Sequence, residues 1–172
     1  MDKKEYRRIA LKERKTLADP SKLLIKKLID SKILENAKRI GIYYPLPYEI
    51  NPLSLIDKYK DKEFCFPKTI GDDIRFYLDE NKGFLKGAFS VYEPISDILV
   101  DRDNIDAFII PCVAITKDNK RIGYGKGYYD RYLEGYKGIK IALNYKELVN
   151  VDVDSDIFDV VIDYVIMGWC DV

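Results

Sequence analysis

Apolar positions in the first third of the chain recur at helical spacing. Residues 3–17 carry a sparse stripe of Tyr6, Ile9, Ala10 and Leu17 on a charged background, which predicts a surface helix with a narrow buried face. Asp19-Pro20 offers an N-cap followed by a proline in the first turn. Leu23, Leu24, Leu28 and Ile33 then carry a second helix to about residue 36. Residues 39–44 read as a short strand closed by Pro45 and Pro47, and Asn51-Pro52 opens a third helix to about residue 59.

Further on the pattern turns from periodic to continuous. Residues 63–66 and 74–78 are candidate strands around the turn residues 71–73. Residues 79–105 mix loop, turn and short strand. Residues 107–111 (AFIIP), 139–143 and 160–167 (VVIDYVIM) are apolar runs, as expected of strands buried on both faces of a parallel sheet. Residues 117–120 form a turn, and a short helix is predicted over 127–135. Helices alternating with apolar strands predict an α/β fold with a mainly parallel sheet. No repeat, low-complexity tract or linker interrupts residues 1–172, so one domain is expected.

Composition narrows the chemistry. The chain has 172 residues and no histidine, which excludes Ser-His-Asp and Cys-His catalysis and any histidine-ligated metal. A bound metal is then expected to be a hard cation on carboxylate oxygens, magnesium before zinc. Cys65, Cys112 and Cys170 are widely spaced with no CxxC pair, which fits buried thiols in a reducing, cytoplasmic setting. The charged N-terminal segment is unlike a signal peptide, and no run approaches the ~18 apolar residues of a membrane span. Net charge is zero, but residues 1–40 hold 13 basic and 6 acidic groups, while residues 141–172 hold 1 and 7. The two ends either attract each other as solvated faces or serve an anionic ligand and a cation. Without an overall positive charge, nucleic acid is not expected.

The densest signal is Arg121-Ile-Gly-Tyr-Gly-Lys-Gly-Tyr-Tyr-Asp-Arg131. Gly123, Gly125 and Gly127 precede a predicted helix, where exposed N–H groups make an anion site. Arg121 and Lys126 add charge suited to phosphate. The spacing is neither that of a Walker loop nor that of the dinucleotide fingerprint. Lys3 and Arg7 sit one helical turn apart and can reach one phosphate. Glu49 follows a strand end, a common ligand position in open α/β sheets. Ordinary structural readings compete: Asp130 as a first-turn helix charge, Asp159 as part of a solvated acidic run with Asp163, the tyrosines as core.

This segment resembles the signature of the 5-formyltetrahydrofolate cyclo-ligase family, close to R-L-G-x-G-x-G-Y-Y-D after an apolar strand ending in proline. The resemblance covers nearly the whole chain. Lys3-Lys4-Glu5-Tyr6-Arg7 is similar to the family's K-K-x-L-R start. Ile42-Tyr-Tyr44 with Glu49-Ile50, Phe66-Pro67-Lys68 and Glu93-Pro94 also fit, and Phe158-Asp159 stands where the family usually has His-Asp. The resemblance implies a three-layer α/β/α sandwich. It further implies ATP-dependent closure of 5-formyltetrahydrofolate to 5,10-methenyltetrahydrofolate with magnesium, in a cytoplasmic monomer with no nucleic-acid or membrane partner. It assigns Lys3, Lys4, Arg7, Arg121, Ile122, Gly123, Tyr124, Gly125, Lys126, Gly127, Tyr128 and Tyr129 to ATP, Lys126 and Arg121 also to catalysis, Tyr44 and Glu49 to the folate, and Asp130 and Asp159 to the metal. Lys68 is a candidate for the folate glutamate tail. Two other classes use the same glycines: a sugar-phosphate isomerase or CoA-transferase-like enzyme without ATP, and a non-catalytic nucleotide- or folate-binding domain.

Overall fold

Each central strand buries alternate side chains on opposite faces of one sheet. Ile40, Phe64, Phe66, Ala107, Ile109, Ile141 and Leu143 face one core, and Cys65, Phe108, Ile110 and Ala142 face another. A computed structural model describes residues 1–168; Cys170 lies outside the described residues. In chain order the elements are α1 (Lys3–Arg14), α2 (Ser21–Ser31), β1 (Arg39–Gly41), α3 (Ser54–Lys58), β2 (Glu63–Ile70), β3 (Asp73–Leu78), β4 (Phe84–Lys86), β5 (Tyr92–Pro94) and β6 (Leu99–Val100). There follow β7 (Ala107–Ile109), β8 (Ala114–Thr116), β9 (Arg121–Ile122), α4 (Tyr128–Tyr132), β10 (Ile139–Asn144), β11 (Val149–Val151) and β12 (Tyr164–Met167).

The main sheet runs β12-β10-β7-β1-β2-β3-β6. β12 to β2 are parallel neighbours, and β3 alone runs against both of its neighbours. Helices α1, α2 and α3 cover one face through Ala10, Leu24, Ile25, Leu28 and Leu55. The other face is covered more thinly, by Tyr129 of α4 with Leu133, Tyr136, Val160 and Ile162. The expected α/β/α layering is therefore present, with one thick and one thin helical layer. A small sheet, β11-β8-β9, and the hairpin β4-β5 stand beside it. No helix among the described residues is long and apolar enough to cross a membrane.

Several boundaries move inward from the sequence expectation. α1 stops at Arg14 because Thr16 turns back, its hydroxyl and its N–H both donating to the Glu13 carbonyl. α2 ends at Lys32 in the left-handed conformation rather than near residue 36. Asp19 accepts from the Ser21 N–H and hydroxyl, but the N-cap is Pro20 and the helix begins at Ser21, so the expected cap and first-turn proline both lie one residue too early. The strand expected over 39–44 pairs only to residue 41, although the Ile42 N–H still donates to the Cys65 carbonyl. The third helix and the one expected over 127–135 each shrink to five residues. Of the run 160–167, only Tyr164–Met167 is strand; Val161 makes a single bridge to Lys120.

The topology locates a crevice. From β1 the chain moves to β2 on one side and later returns to β7 on the other. Connections diverge at the carboxyl ends of β1 and β7, and open α/β sheets take ligands at such a point. Backbone packing there is tight. Gly41 pairs with Phe108, whose ring lies across it, so a Cβ at Gly41 would fall inside the ring's contact distance. Phe108 cannot step aside, being wedged edge-on against Phe76 and Tyr136 at centroid distances of 4.9 and 5.0 Å. Gly41→Ala is accordingly expected to cost about 1–3 kcal/mol by overpacking, read as a lowered urea midpoint at unchanged m-value.

Candidate active site

Two cavities meet at the glycine loop. The first, about 370 Å³, opens at the carboxyl ends of β1 and β7. Its walls are largely aromatic and aliphatic: Tyr43 and Tyr44 after β1, Pro67 and Ile74 from the β2-β3 hairpin, Phe89 and Val91 from the β4-β5 connection, and Tyr124, Tyr128 and Tyr129. Glu49 and Glu93 supply carboxylates, Arg121 and Lys126 cations. Such a slot suits a flat heteroaromatic ring with a few polar edges. Tyr44 is set by tilted contacts to Phe84 and Tyr92 at 4.9 and 5.0 Å.

The second cavity, also about 370 Å³, is polar. Lys3, Lys4 and Arg7 of α1 form one side, Arg121, Ile122, Gly123, Gly125 and Gly127 the floor, and Asp130, Asp156, Phe158 and Asp159 the far side. Arg121 and Gly127 line both cavities. The wall between a flat apolar slot and a cationic bowl is thus a buried guanidinium and a glycine.

Each glycine of the loop makes room for an arginine. A Cβ at Gly123 would strike the Arg121 guanidinium, one at Gly125 would come within 3.3 Å of Arg7 Nη1, and one at Gly127 within 2.6 Å of Arg131 Nη1. Gly125 and Gly127 also hold φ of 95° and 72°, which glycine adopts without strain. Arg7 Nε donates to the Gly123 carbonyl at 2.6 Å. Arg131 donates to the Lys126 carbonyl at 3.0 Å and to the Asp72 carbonyl, tying the loop to the β2-β3 turn. The sequence points to exposed loop N–H groups together with a helix N-terminus as the anion site. α4 spans only five residues, and the cavity beside the loop is lined by the cations Lys3, Lys4, Arg7 and Arg121.

The structure divides the residues assigned to ATP by sequence. Lys3, Lys4, Arg7, Arg121, Ile122, Gly123, Gly125 and Gly127 gather on the polar cavity. Tyr124, Lys126, Tyr128 and Tyr129 line the aromatic slot, with Lys126 lying 5.2 Å over the Phe89 ring. Lys68 is turned away to the Ser96 carbonyl and the Tyr77 ring. Asp163 caps the start of β10 through the Lys140 N–H and borders neither cavity. Sequence reasoning missed Phe89 and Arg14. Arg14 had a signal: Lys3, Arg7, Ala10 and Arg14 share one face of α1, and Ala10 on that face is fully buried.

Glu49 is buried. Its Oε1 accepts the Leu46 N–H at 2.6 Å and its Oε2 the Tyr124 hydroxyl at 2.7 Å. Burial pushes its carboxyl above the usual range, against the pull of those two bonds and of Arg14 and Arg121. Asp159 is also buried, and both its oxygens bind the Lys3 ammonium, at 2.8 and 3.0 Å. Burial works against the charge on Lys3, but its bonds to Asp159 and Asp156 outweigh that and raise its pKa. Asp130 accepts the Val160 N–H at 3.2 Å. Among the described residues no group of three acidic or thiol side chains stands ready to hold a metal. Asp130 and Asp159 do face the cavity that the cations line. That donor set fits magnesium, which takes one or two carboxylates and completes its shell with phosphate and water.

A mainly parallel sheet with an apolar slot and a cationic bowl at its switch point is the arrangement of an open-sheet α/β enzyme. The sequence model of the 5-formyltetrahydrofolate cyclo-ligase family matches residues 2–168, and the chain belongs to that family. It is 28% identical to a 5-formyltetrahydrofolate cyclo-ligase of Mycoplasma genitalium, over 96% of this chain and 98% of that one. It is 27% identical to the mouse protein of the same name, over 85% and 81%. Among solved structures it is similar to the 5,10-methenyltetrahydrofolate synthetases of Mycoplasma pneumoniae (28% identity, TM-score 0.78, 96% and 98% covered) and Aquifex aeolicus (30%, 0.82, 97% and 90%).

Cys112 is buried between β7 and β8, and Cys65 is buried in β2. Burial pushes both thiols up to about 12. Neither is a thiolate at neutral pH, so neither serves as a nucleophile. Peptide mapping after alkylation at about pH 8 is expected to leave Cys65 and Cys112 unlabelled in the native protein and to find both labelled in denaturant.

Proposed function

We infer that the chain catalyses the ATP-dependent cyclisation of 5-formyltetrahydrofolate to 5,10-methenyltetrahydrofolate, releasing ADP and phosphate, with the folate in the aromatic slot and the nucleotide phosphates in the cationic bowl. The observation that carries this division is the shared wall. Arg121 and Gly127 border both cavities, so a γ-phosphoryl in one and a formyl oxygen in the other would meet there. Residues 1–172 are taken as one domain of a monomeric, cytoplasmic enzyme.

The chemistry asks for placement and charge neutralisation. A formamide oxygen is a poor leaving group. Transfer of the γ-phosphoryl to it, breaking the bond to the bridging oxygen of ADP, gives an iminium-like phosphate. The second folate nitrogen adds to the formyl carbon and loses its proton, and phosphate departs to leave the methenyl cation. Phosphoryl transfer of this kind is catalysed mainly by position and electrostatics. Lys3, Lys4, Arg7 and the loop amides hold the phosphates. Arg121 and Lys126, on the slot side of the loop, meet the transferred group and its developing charge. Tyr44, Tyr128 and Tyr129 offer faces to the pterin, and Glu49 accepts hydrogen bonds from its donor edge. Asp130 and Asp159 would hold magnesium, which neutralises phosphate charge when bound. A sugar-phosphate isomerase would run without ATP, and a binding domain would not turn over. ATP hydrolysis that depends on added 5-formyltetrahydrofolate, with appearance of the methenyl absorbance, distinguishes the three.

Glu49→Gln is expected to raise the KM for 5-formyltetrahydrofolate by ~10-fold or more, the loss of a hydrogen bond to a charged group, while binding of a non-hydrolysable ATP analogue stays near wild type. Equal loss of both ligands would contradict a folate role.

Asp130→Asn is expected to abolish turnover in a folded protein. Asparagine keeps the shape and an oxygen acceptor but removes the charge a hard cation takes. Were Asp130 only a helix-end charge, the change would cost ~0.3–1 kcal/mol of stability and little activity. Melting temperature and initial rate across a magnesium series, on one preparation, separate the two; near-wild-type rates throughout would remove Asp130 from the metal site.

A further inference from the structure

Three buried or half-buried polar groups form a chain that runs from the first helix to the folate slot. Arg14, at the end of α1, is buried, and its Nη2 donates to the Tyr124 hydroxyl at 3.0 Å. The Tyr124 hydroxyl in turn donates to Glu49 Oε2 at 2.7 Å. Glu49 Oε1 is held from the other side by the Leu46 N–H at 2.6 Å. The guanidinium also lies 5.7 Å from the centre of the Tyr124 ring. Tyr124 stands between two glycines in the loop assigned by sequence to ATP, yet it borders the aromatic slot and not the cationic bowl.

The direction of this chain follows from its chemistry. An arginine has only donors and a carboxylate only acceptors, while a phenol has one proton and can both give and accept. With Arg14 on its oxygen, the one proton of Tyr124 is left for Glu49. We propose that Arg14 and Tyr124 are positioning residues for the folate-binding carboxylate, Arg14 orienting the Tyr124 hydroxyl and Tyr124 fixing the second oxygen of Glu49. The proposal rests on the reading that Glu49 binds the folate. Held at both oxygens, the carboxylate has a fixed plane, and its remaining lone pairs keep one direction for the donor edge of a substrate.

The same chain favours the charged form of Glu49 against the effect of burial. The groups facing it are Arg14 from α1, Arg121 from β9, Tyr43 after β1, Cys112 between β7 and β8, Tyr124 in the glycine loop and Tyr129 on α4. Tyr43, Tyr124 and Tyr129 are raised well above ordinary phenols by burial, and Cys112 to about 12. None of these four titrates near neutrality. Among these groups Glu49 is the one carboxyl, raised by burial and held down by the two guanidiniums and the phenol bond, so an acid limb of folate use set by Glu49 is the one this chain moves. Removing the phenol proton or its arginine raises the pKa of Glu49, so that limb moves to higher pH.

The test is steady-state kinetics with each substrate varied in turn, across pH, on Tyr124→Phe, Arg14→Met and the double variant. Tyr124→Phe keeps the ring and loses only the hydroxyl. It is expected to raise the KM for 5-formyltetrahydrofolate about tenfold, as loss of one hydrogen bond to a charged group does, and to leave the KM for ATP almost unchanged. The acid limb of kcat/KM for the folate is expected to move to higher pH. Because the two residues act in series, the double variant is expected to be no worse than the more impaired single one. Equal rises in both KM values, an unmoved acid limb, or additive losses would overturn the proposal. Glu49→Gln in the same assays separates the layers. If it spares the folate KM, the folate reading of Glu49 fails and the positioning pair with it. If it impairs folate use while Tyr124→Phe keeps the wild-type profile, the positioning pair alone is overturned.

Discussion

A single buried guanidinium organises this molecule's functional end. Arg121 is 6% exposed, and a buried charge is costly unless its donors are engaged. Its Nε donates to the Pro111 carbonyl at 2.5 Å, and its carbon lies 5.0 Å from the centre of the Tyr129 ring. Its main-chain N–H donates to the Val160 carbonyl, so three separate segments converge on one residue. No carboxylate forms an ion pair with it among the described residues. Its charge is left directed at the two cavities it borders. Arginine suits this role better than lysine, because the planar fork can bond the chain on one edge and stack on an aromatic face while presenting its other donors.

That placement sets demands on the neighbouring sequence. Gly123 must lack a Cβ, because the guanidinium occupies the space. Pro111 ends the β7 segment where its carbonyl can accept, and β9 needs only two residues because it pairs with the short β8 and bridges onward through Lys120 to Val161. Tyr129 is buried between the sheet and the cation, so the tyrosine after the loop serves the thin helical layer and the site at once. The fold around the loop is irregular for the same reason. Short strands and a one-turn helix let side chains of both signs approach one place, which long regular elements would keep apart.

This shows what a sequence can and cannot display. The glycine-rich segment, Glu49 at a strand end and the apolar strands were legible, because each depends on local residue type or simple alternation. The allocation of loop residues was not. Gly123, Tyr124, Gly125, Lys126 and Gly127 read as one phosphate cradle, but the side chains of Tyr124 and Lys126 both go to the aromatic slot, while Gly123 and Gly125 line the polar cavity, with positive φ at Gly125 and Gly127. Arg14 was hidden for a different reason. On a helix crowded with charge, one more arginine looks solvated, and only its register with the buried Ala10 marks the inward face. Helix ends slipped inward wherever a side chain bonded back to the last turn, as Thr16 and Ser31 do, an effect that periodicity does not carry.

The charge imbalance between the chain's ends had two readings, mutual attraction or separate ligand sites, and the structure joins them. The basic N-terminus and the acidic C-terminal segment meet at Lys3, whose ammonium lies 2.8 Å from Asp159 and 2.9 Å from Asp156. The meeting place is the rim of the cationic bowl. A half-buried pair with several hydrogen bonds is held more firmly than an exposed one, which is worth little. Its members are also the groups assigned here to phosphate and magnesium. Lys3 cannot give all its donors to phosphate while it bonds both oxygens of Asp159, and Asp159 cannot offer those oxygens to a metal while Lys3 holds them. On the reading proposed above, a magnesium–nucleotide pair would bring an anion for the lysine and a cation for the aspartate together. Either alone would leave the buried Asp159 or the partly exposed Lys3 without its present partner.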